Sequence, residues 1–184
     1  PPQRRQLVVD GREVGVAEYL QCWPVFALSG SDGSLVEGAP EVRRAFVDRT
    51  AFLLRPGHLA QLRHYRRALR QRNAGLARGV SDSEISPWEA VLSDAAVKVV
   101  ENRVHAVTRL EPAFVTLYQR LGRPSFPAVE LRYVGEHCGA DVESRAGLGE
   151  WYRERFERRR EGERRLGFTG EGPHRHDLRI AVEG

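Results

Sequence analysis

Tyr65-Arg66-Arg67-Ala68-Leu69-Arg70-Gln71-Arg72-Asn73 decides the reading of the fold. At 100° per residue Leu62, Tyr65, Leu69 and Leu76 fall on one arc of a helix. Arg63, Arg66, Arg67 and Arg70 fall on the adjacent arc, so one side faces a core and the next presents a basic stripe. Arg72 is the exception. It lies on the apolar side, where an unpaired guanidinium is costly, so a buried carboxylate or carbonyl partner is expected.

Working outward, the helical pattern covers about 41–122, with Pro56-Gly57 as a break and Pro40 suited to a first turn. Ser81-Asp82-Ser83-Glu84 and Ser86-Pro87-Trp88-Glu89 carry helix-start residues. Val91, Leu92, Ala95, Val99, Val100, Val104, Val107 and Leu110 then mark a long helix. Pro112 is expected to end or kink it, with a further segment to Leu121. On the amino-terminal side, Gln6-Leu7-Val8-Val9 reads as a strand, Asp10-Gly11 as a hairpin turn and Pro24-Val25-Phe26-Ala27-Leu28 as a buried strand. On the carboxy-terminal side, 129–134 alternates as a strand, 142–165 is a charged helix and 178–182 a final strand. The fold class is α+β: a mostly helical body flanked by strands too few to close a core alone.

The chain is 41% apolar and 29% charged, a globular balance. No stretch approaches the ~20 apolar residues that span a bilayer. The start, Pro1-Pro2-Gln3-Arg4-Arg5, has no signal-peptide character, and the chain lacks Met altogether. A piece of a longer cytoplasmic protein is expected, with Cys22 and Cys138 as reduced thiols. Lys98 is the only lysine, and the net charge of +4 favours a polyanionic partner.

No G-x-x-x-x-G-K-[ST] loop, no paired acids after an apolar strand and no G-x-S-x-G occur, so no catalytic residue is assigned. His137-Cys138 and His174/His176 lack zinc spacings and read as ordinary polar residues, so no metal site is expected. The basic arc has two readings. With no acidic residue between Asp48 and Asp82, it suits sequence-blind phosphate contacts. It equally suits a solvated face pairing with acids of the 142–163 helix.

Three motifs then carry a resemblance: Arg43-Arg44-Ala45-Phe46-Val47-Asp48, Arg70-Gln71-Arg72-Asn73, and Gly172-Pro173-His174-Arg175 with Asp177-Leu178. In this order and spacing they resemble the middle of the RecF family, whose members are DNA-binding ATPases of the ABC/SMC type. The resemblance implies that 1–54 is part of the first ATPase-head lobe, 55–168 a helical arm and 169–184 the return to the head. Arg43, Arg44, Asp48, Gln71, Arg72, Asn73, Gly172, Pro173, His174, Arg175 and Asp177 would be structural motif residues. Arg63, Arg66, Arg67 and Arg70 would be the DNA contacts.

The family is a weak ATPase whose Walker A, signature and Walker B motifs would lie outside this segment. ATP and Mg would belong to the full-length parent, with no cofactor for the segment alone. The family loop that carries Pro-Glu reads here as Gly30-Ser31-Asp32, leaving Asp32 as the cofactor-binding candidate. The resemblance further implies an ATP-dependent homodimer, DNA at single-strand/double-strand junctions, and RecO and RecR as partners in replication-gap repair and the SOS response. A stand-alone helical module binding DNA or protein without nucleotide is the alternative.

Overall fold

The computed structural model describes residues 6–23, 33–122, 126–135 and 145–182. The expected strand at 24–28, the Gly30-Ser31-Asp32 loop and His137-Cys138 lie outside them. Strands β1 (Val8–Val9) and β2 (Arg12–Glu13) pair antiparallel, Val8 opposite Glu13. Between them Asp10 and Gly11 both have positive φ, 49° and 76°, as a two-residue hairpin turn of the primed type requires. Two short helices follow, α1 (Val16–Cys22) and α2 (Ser34–Glu37).

The body is built from α3 (Pro40–Leu54), α4 (His58–Arg78), α5 (Asp82–Leu121) and α6 (Arg145–Leu166). Pro40 opens α3, where its missing N–H has no intrahelical partner to lose. Gly79 closes α4 in the left-handed region, with Gly79 N donating to Leu76 O and Val80 N to Gly75 O. Two residues on, Ser81 and Glu84 form a capping box that starts α5. The α4–α5 pair is thus a tight helical hairpin with both ends of the turn satisfied.

Helix α5 runs unbroken to Leu121, so Pro112 does not end it. The ring removes the hydrogen bond to the Thr108 carbonyl. Leu110 and Phe114, one on each side, stay packed against the core and hold the helical course. Thr116 Oγ1 donates to the Pro112 carbonyl at 2.8 Å.

Strands β3 (Val129–Val134) and β4 (Asp177–Val182) form one antiparallel ladder, Val129 opposite Val182 and Val134 opposite Asp177. Val129, Leu131 and Tyr133 alternate inward, the period-2 pattern of a half-buried strand. A single core joins Val47 of α3, Leu62, Tyr65 and Ala68 of α4, the α5 residues from Leu92 to Val107, Tyr133, Tyr152, Phe156 and Leu178. Helix α5 is its axis, and the loop from Gly167 to His176 closes one flank of α4.

Candidate nucleic-acid interface and the loop behind it

The three sequence motifs converge on the loop Thr169–Asp177. Arg72 is fully buried on the inner side of α4. Its Nη1 donates to Glu163 Oε2 at 2.6 Å and to Thr169 Oγ1 at 2.8 Å. Its Nη2 donates to Glu89 Oε1 and to the Phe156 carbonyl, each at 3.0 Å. The guanidinium also lies over the Phe156 ring, 4.8 Å from its centroid. Arg160 adds a second cation on Glu89. Two guanidiniums and two carboxylates form a neutral buried quartet joining α4, α5 and α6, the condition under which burying such charges is tolerable. The expected partner of Arg72 is therefore present.

Asn73 extends this network to the loop, its Oδ1 accepting from Thr169 N at 2.9 Å and Thr169 Oγ1 at 2.7 Å. Gly170 N donates to Glu163 Oε1. Glu171 is buried and ion-paired with Arg155 and Arg159 of α6. Gly172 has φ 126°, and a Cβ there would lie 3.0 Å from Tyr65 Oη, so both conformation and space call for glycine.

A second network is centred on Asp48. Arg103 Nε and Nη2 donate to its two carboxylate oxygens at 2.7 and 3.0 Å, and His58 Nε2 lies 2.9 Å from Oδ1. Burial alone would raise the Asp48 carboxyl. The hydrogen bonds from His58 and Arg103 outweigh it and hold the group below the usual carboxylate range. Arg103 Nη1 reaches the Pro173 carbonyl at 2.6 Å and Tyr133 Oη at 3.1 Å. A guanidinium only donates, so Tyr133 accepts there and its own hydroxyl donates to His176 Nδ1, 3.0 Å away.

His174 is fixed the same way: Nε2 donates to the Thr169 carbonyl at 3.0 Å, and Nδ1 accepts from Tyr65 Oη at 2.6 Å. Burial, and then neighbouring guanidiniums, push His174 down to about 4 and His176 down to about 3. Arg43 makes a two-pronged pair with Asp177 at 2.8 and 2.7 Å, and Arg44 Nη1 donates to the His176 carbonyl. The buried Arg–Asp pair is Arg103–Asp48, while Arg43 and Arg44 fasten α3 to the start of β4.

The four candidate DNA contacts lie together on the outer side of α4. Arg63, Arg66, Arg67 and Arg70 are all exposed. Arg66 approaches Asp48 to only 3.9 Å and keeps 61% of its side chain accessible. Among the described residues, Arg63, Arg67 and Arg70 have no acidic partner within ion-pair distance. The arginines of α6 pair elsewhere, with Asp82, Glu89, Asp94, Glu154, Glu161 and Glu171. Gln71 is exposed and Asn73 half-buried, so the Arg70–Asn73 motif alternates between surface and network. Among the described residues no three His, Cys, Asp or Glu side chains are grouped to hold a metal.

Sequence reasoning missed Arg103, His58, Glu89, Glu163 and Thr169 as network members. Arg103 and Glu89 did leave a signal, charged positions interrupting the apolar face of the long helix.

No family model matches the chain. It is 33% identical over 187 residues to "DNA replication and repair protein RecF" of Anaeromyxobacter sp. (strain Fw109-5), covering 100% of this chain and 50% of that protein. The protein of that name from Myxococcus xanthus (strain DK1622) is 30% identical over 185 residues, 98% of this chain and 48% of its own. That of Chloroherpeton thalassium is 33% identical over 168 residues, 87% and 45%. The chain spans about half the length of the curated relatives it matches. Among solved structures, the recombination mediator protein RecF-ATP in the RecFOR pathway superposes with a TM-score of 0.82 at 17% identity, over 94% of this chain and 47% of that one. RecF-ATPrS superposes at 0.85 and 18%, over 96% and 48%. These likenesses show a shared fold, and the resemblance read from the three motifs is borne out.

Proposed function

This chain is RecF-like in sequence over its full length and in fold, and from that premise we propose that it is the DNA-gripping middle segment of a RecF-like protein. The parent acts in DNA replication and recombinational repair, binds ATP with Mg, dimerises on it, and works with RecO and RecR at single-strand/double-strand junctions of gapped DNA. Residues 1–54 belong to the first head lobe, 55–168 to the helical arm and 169–184 to the return strand. Arg63, Arg66, Arg67 and Arg70 contact phosphate and position the arm without reading bases.

The observation that carries this reading is the exposed arginine face of α4. Four guanidiniums within about 10 Å of helix repel one another, and a polyanion relieves that repulsion while releasing counterions. Two kinds of arginine stand apart here. Arg72, Arg103 and Arg160 have carboxylate partners in the interior. On the outer side of α4, Arg63, Arg67 and Arg70 have no acidic partner within ion-pair distance among the described residues, and Arg66 meets Asp48 only at 3.9 Å.

The test uses the full-length parent on a short duplex. Replacing Arg63, Arg66, Arg67 and Arg70 together by Gln is expected to weaken binding by tenfold or more at low salt, on the order expected when several phosphates are no longer neutralised. Unchanged affinity in a folded variant overturns the assignment.

A further inference from the structure

The arginine face does not end at Arg70. Residues 66, 70, 73 and 77 share one stripe of α4, spaced by four, three and four. The first two are Arg66 and Arg70. The loop runs alongside the last two: Thr169 binds Asn73, and a Cβ on Gly167 would sit 3.8 Å from Ala77, which stays exposed. Phe168, the residue between, therefore stands on the stripe about one turn beyond Arg70. Asn73 follows Arg70 by about 4.5 Å along the axis, comparable with the ~3.4 Å rise of one stacked nucleotide.

Phe168 is a large aromatic side chain left 39% exposed. Arg175 covers part of its ring, its guanidinium carbon 5.5 Å from the centroid. Arg175 is itself exposed and makes no ion pair among the described residues. The backbone beneath both is hydrogen-bonded, Thr169 N donating to Asn73 Oδ1 at 2.9 Å and Arg175 N to the Gly172 carbonyl at 2.8 Å. A planar cation on an aromatic ring, at the end of a row of guanidiniums, is the arrangement that receives an unstacked base while the row holds its backbone.

We propose that Phe168 and Arg175 form a stacking site for one unpaired nucleobase at the end of the Arg66–Arg70 phosphate track. The base lies on the outer face of the guanidinium–ring pair. The site needs a flipped-out or single-stranded base, so it favours a strand end or gap edge over continuous duplex. The inference rests on the phosphate-track reading given above.

The experiment compares the full-length protein on a blunt duplex and on the same duplex with a short thymidine overhang. Phe168→Ala is expected to weaken overhang binding by about tenfold, the order of one missing base–aromatic stack, and blunt-duplex binding by less than about twofold. Phe168→Leu, which keeps apolar bulk without a π-face, is expected to behave like Phe168→Ala, and Phe168→Trp to retain the preference. Arg175→Lys, which keeps the charge but loses the plane, is expected to lower overhang binding in part. Equal weakening on both DNAs, or no weakening on either, overturns the stacking site. Failure of the phosphate track shows separately, as unchanged blunt-duplex affinity on replacing Arg66 and Arg70 by Gln.

Discussion

Arg72 and Arg70 are two residues apart, yet one is sealed in the core and the other open to solvent. Helical phase alone separates them, and phase was legible in the sequence: an arginine on the apolar arc required a partner. Which carboxylates supply it was not legible, because Glu89 and Glu163 are distant in sequence. Arg72→Ala should leave both acids buried without their shared cation and lower stability by about 3–5 kcal/mol in chemical denaturation. Arg72→Lys should recover little, since one ammonium cannot reproduce the planar fork that reaches two helices and the loop.

His174 and His176 make a pH prediction. Their folded values of about 4 and about 3 lie below the ordinary 6.5. Below about pH 6.5 the unfolded chain takes up protons that the folded one refuses. Stability is therefore complete above that pH and falls as pH drops toward the folded values, by at most about 1.4 kcal/mol per pH unit for each imidazole. Denaturation midpoints at neutral and mildly acidic pH should show the fall, and His176→Gln should make it shallower.

At the scale of elements, local signals were readable wherever their chemistry is local. Asp10-Gly11 specified its hairpin turn, Pro40 the first turn of α3, and Ser81 with Glu84 the start of α5. Ser81→Ala should therefore cost about 1 kcal/mol, read as a lower unfolding midpoint. Of the end or kink expected at Pro112, the end does not occur, because the proline's effect is not purely local. Its missing hydrogen bond competes with packing of Leu110 and Phe114, which only the folded chain displays. Pro112→Ala should restore the bond to the Thr108 carbonyl and slow amide exchange in the outer part of α5, measured by hydrogen–deuterium exchange.

For the molecule as a whole, the α+β class, the helical body and the strands at 129–134 and 178–182 followed from periodicity. The pairing of those two strands did not, since a charged helix separates them and antiparallel register is a tertiary fact. The candidate interface divides the same way. The four arginines were visible as an arc, but two readings stood open, a phosphate-binding face or a face neutralised by α6. Among the described residues no acid of α6 lies within ion-pair distance of the α4 arc: Glu154 and Glu161 pair within α6, and Glu163 binds Arg72.

The salt dependence of duplex binding tests this most directly. For the full-length protein the logarithm of affinity should fall linearly with the logarithm of salt concentration, and each phosphate left without its arginine should flatten the slope by about 0.9. Replacing Arg66, Arg67 and Arg70 by Gln should flatten it by roughly two to three, alike for DNAs of unrelated sequence. A slope identical to the unmodified protein's, with the variant folded, would contradict the account.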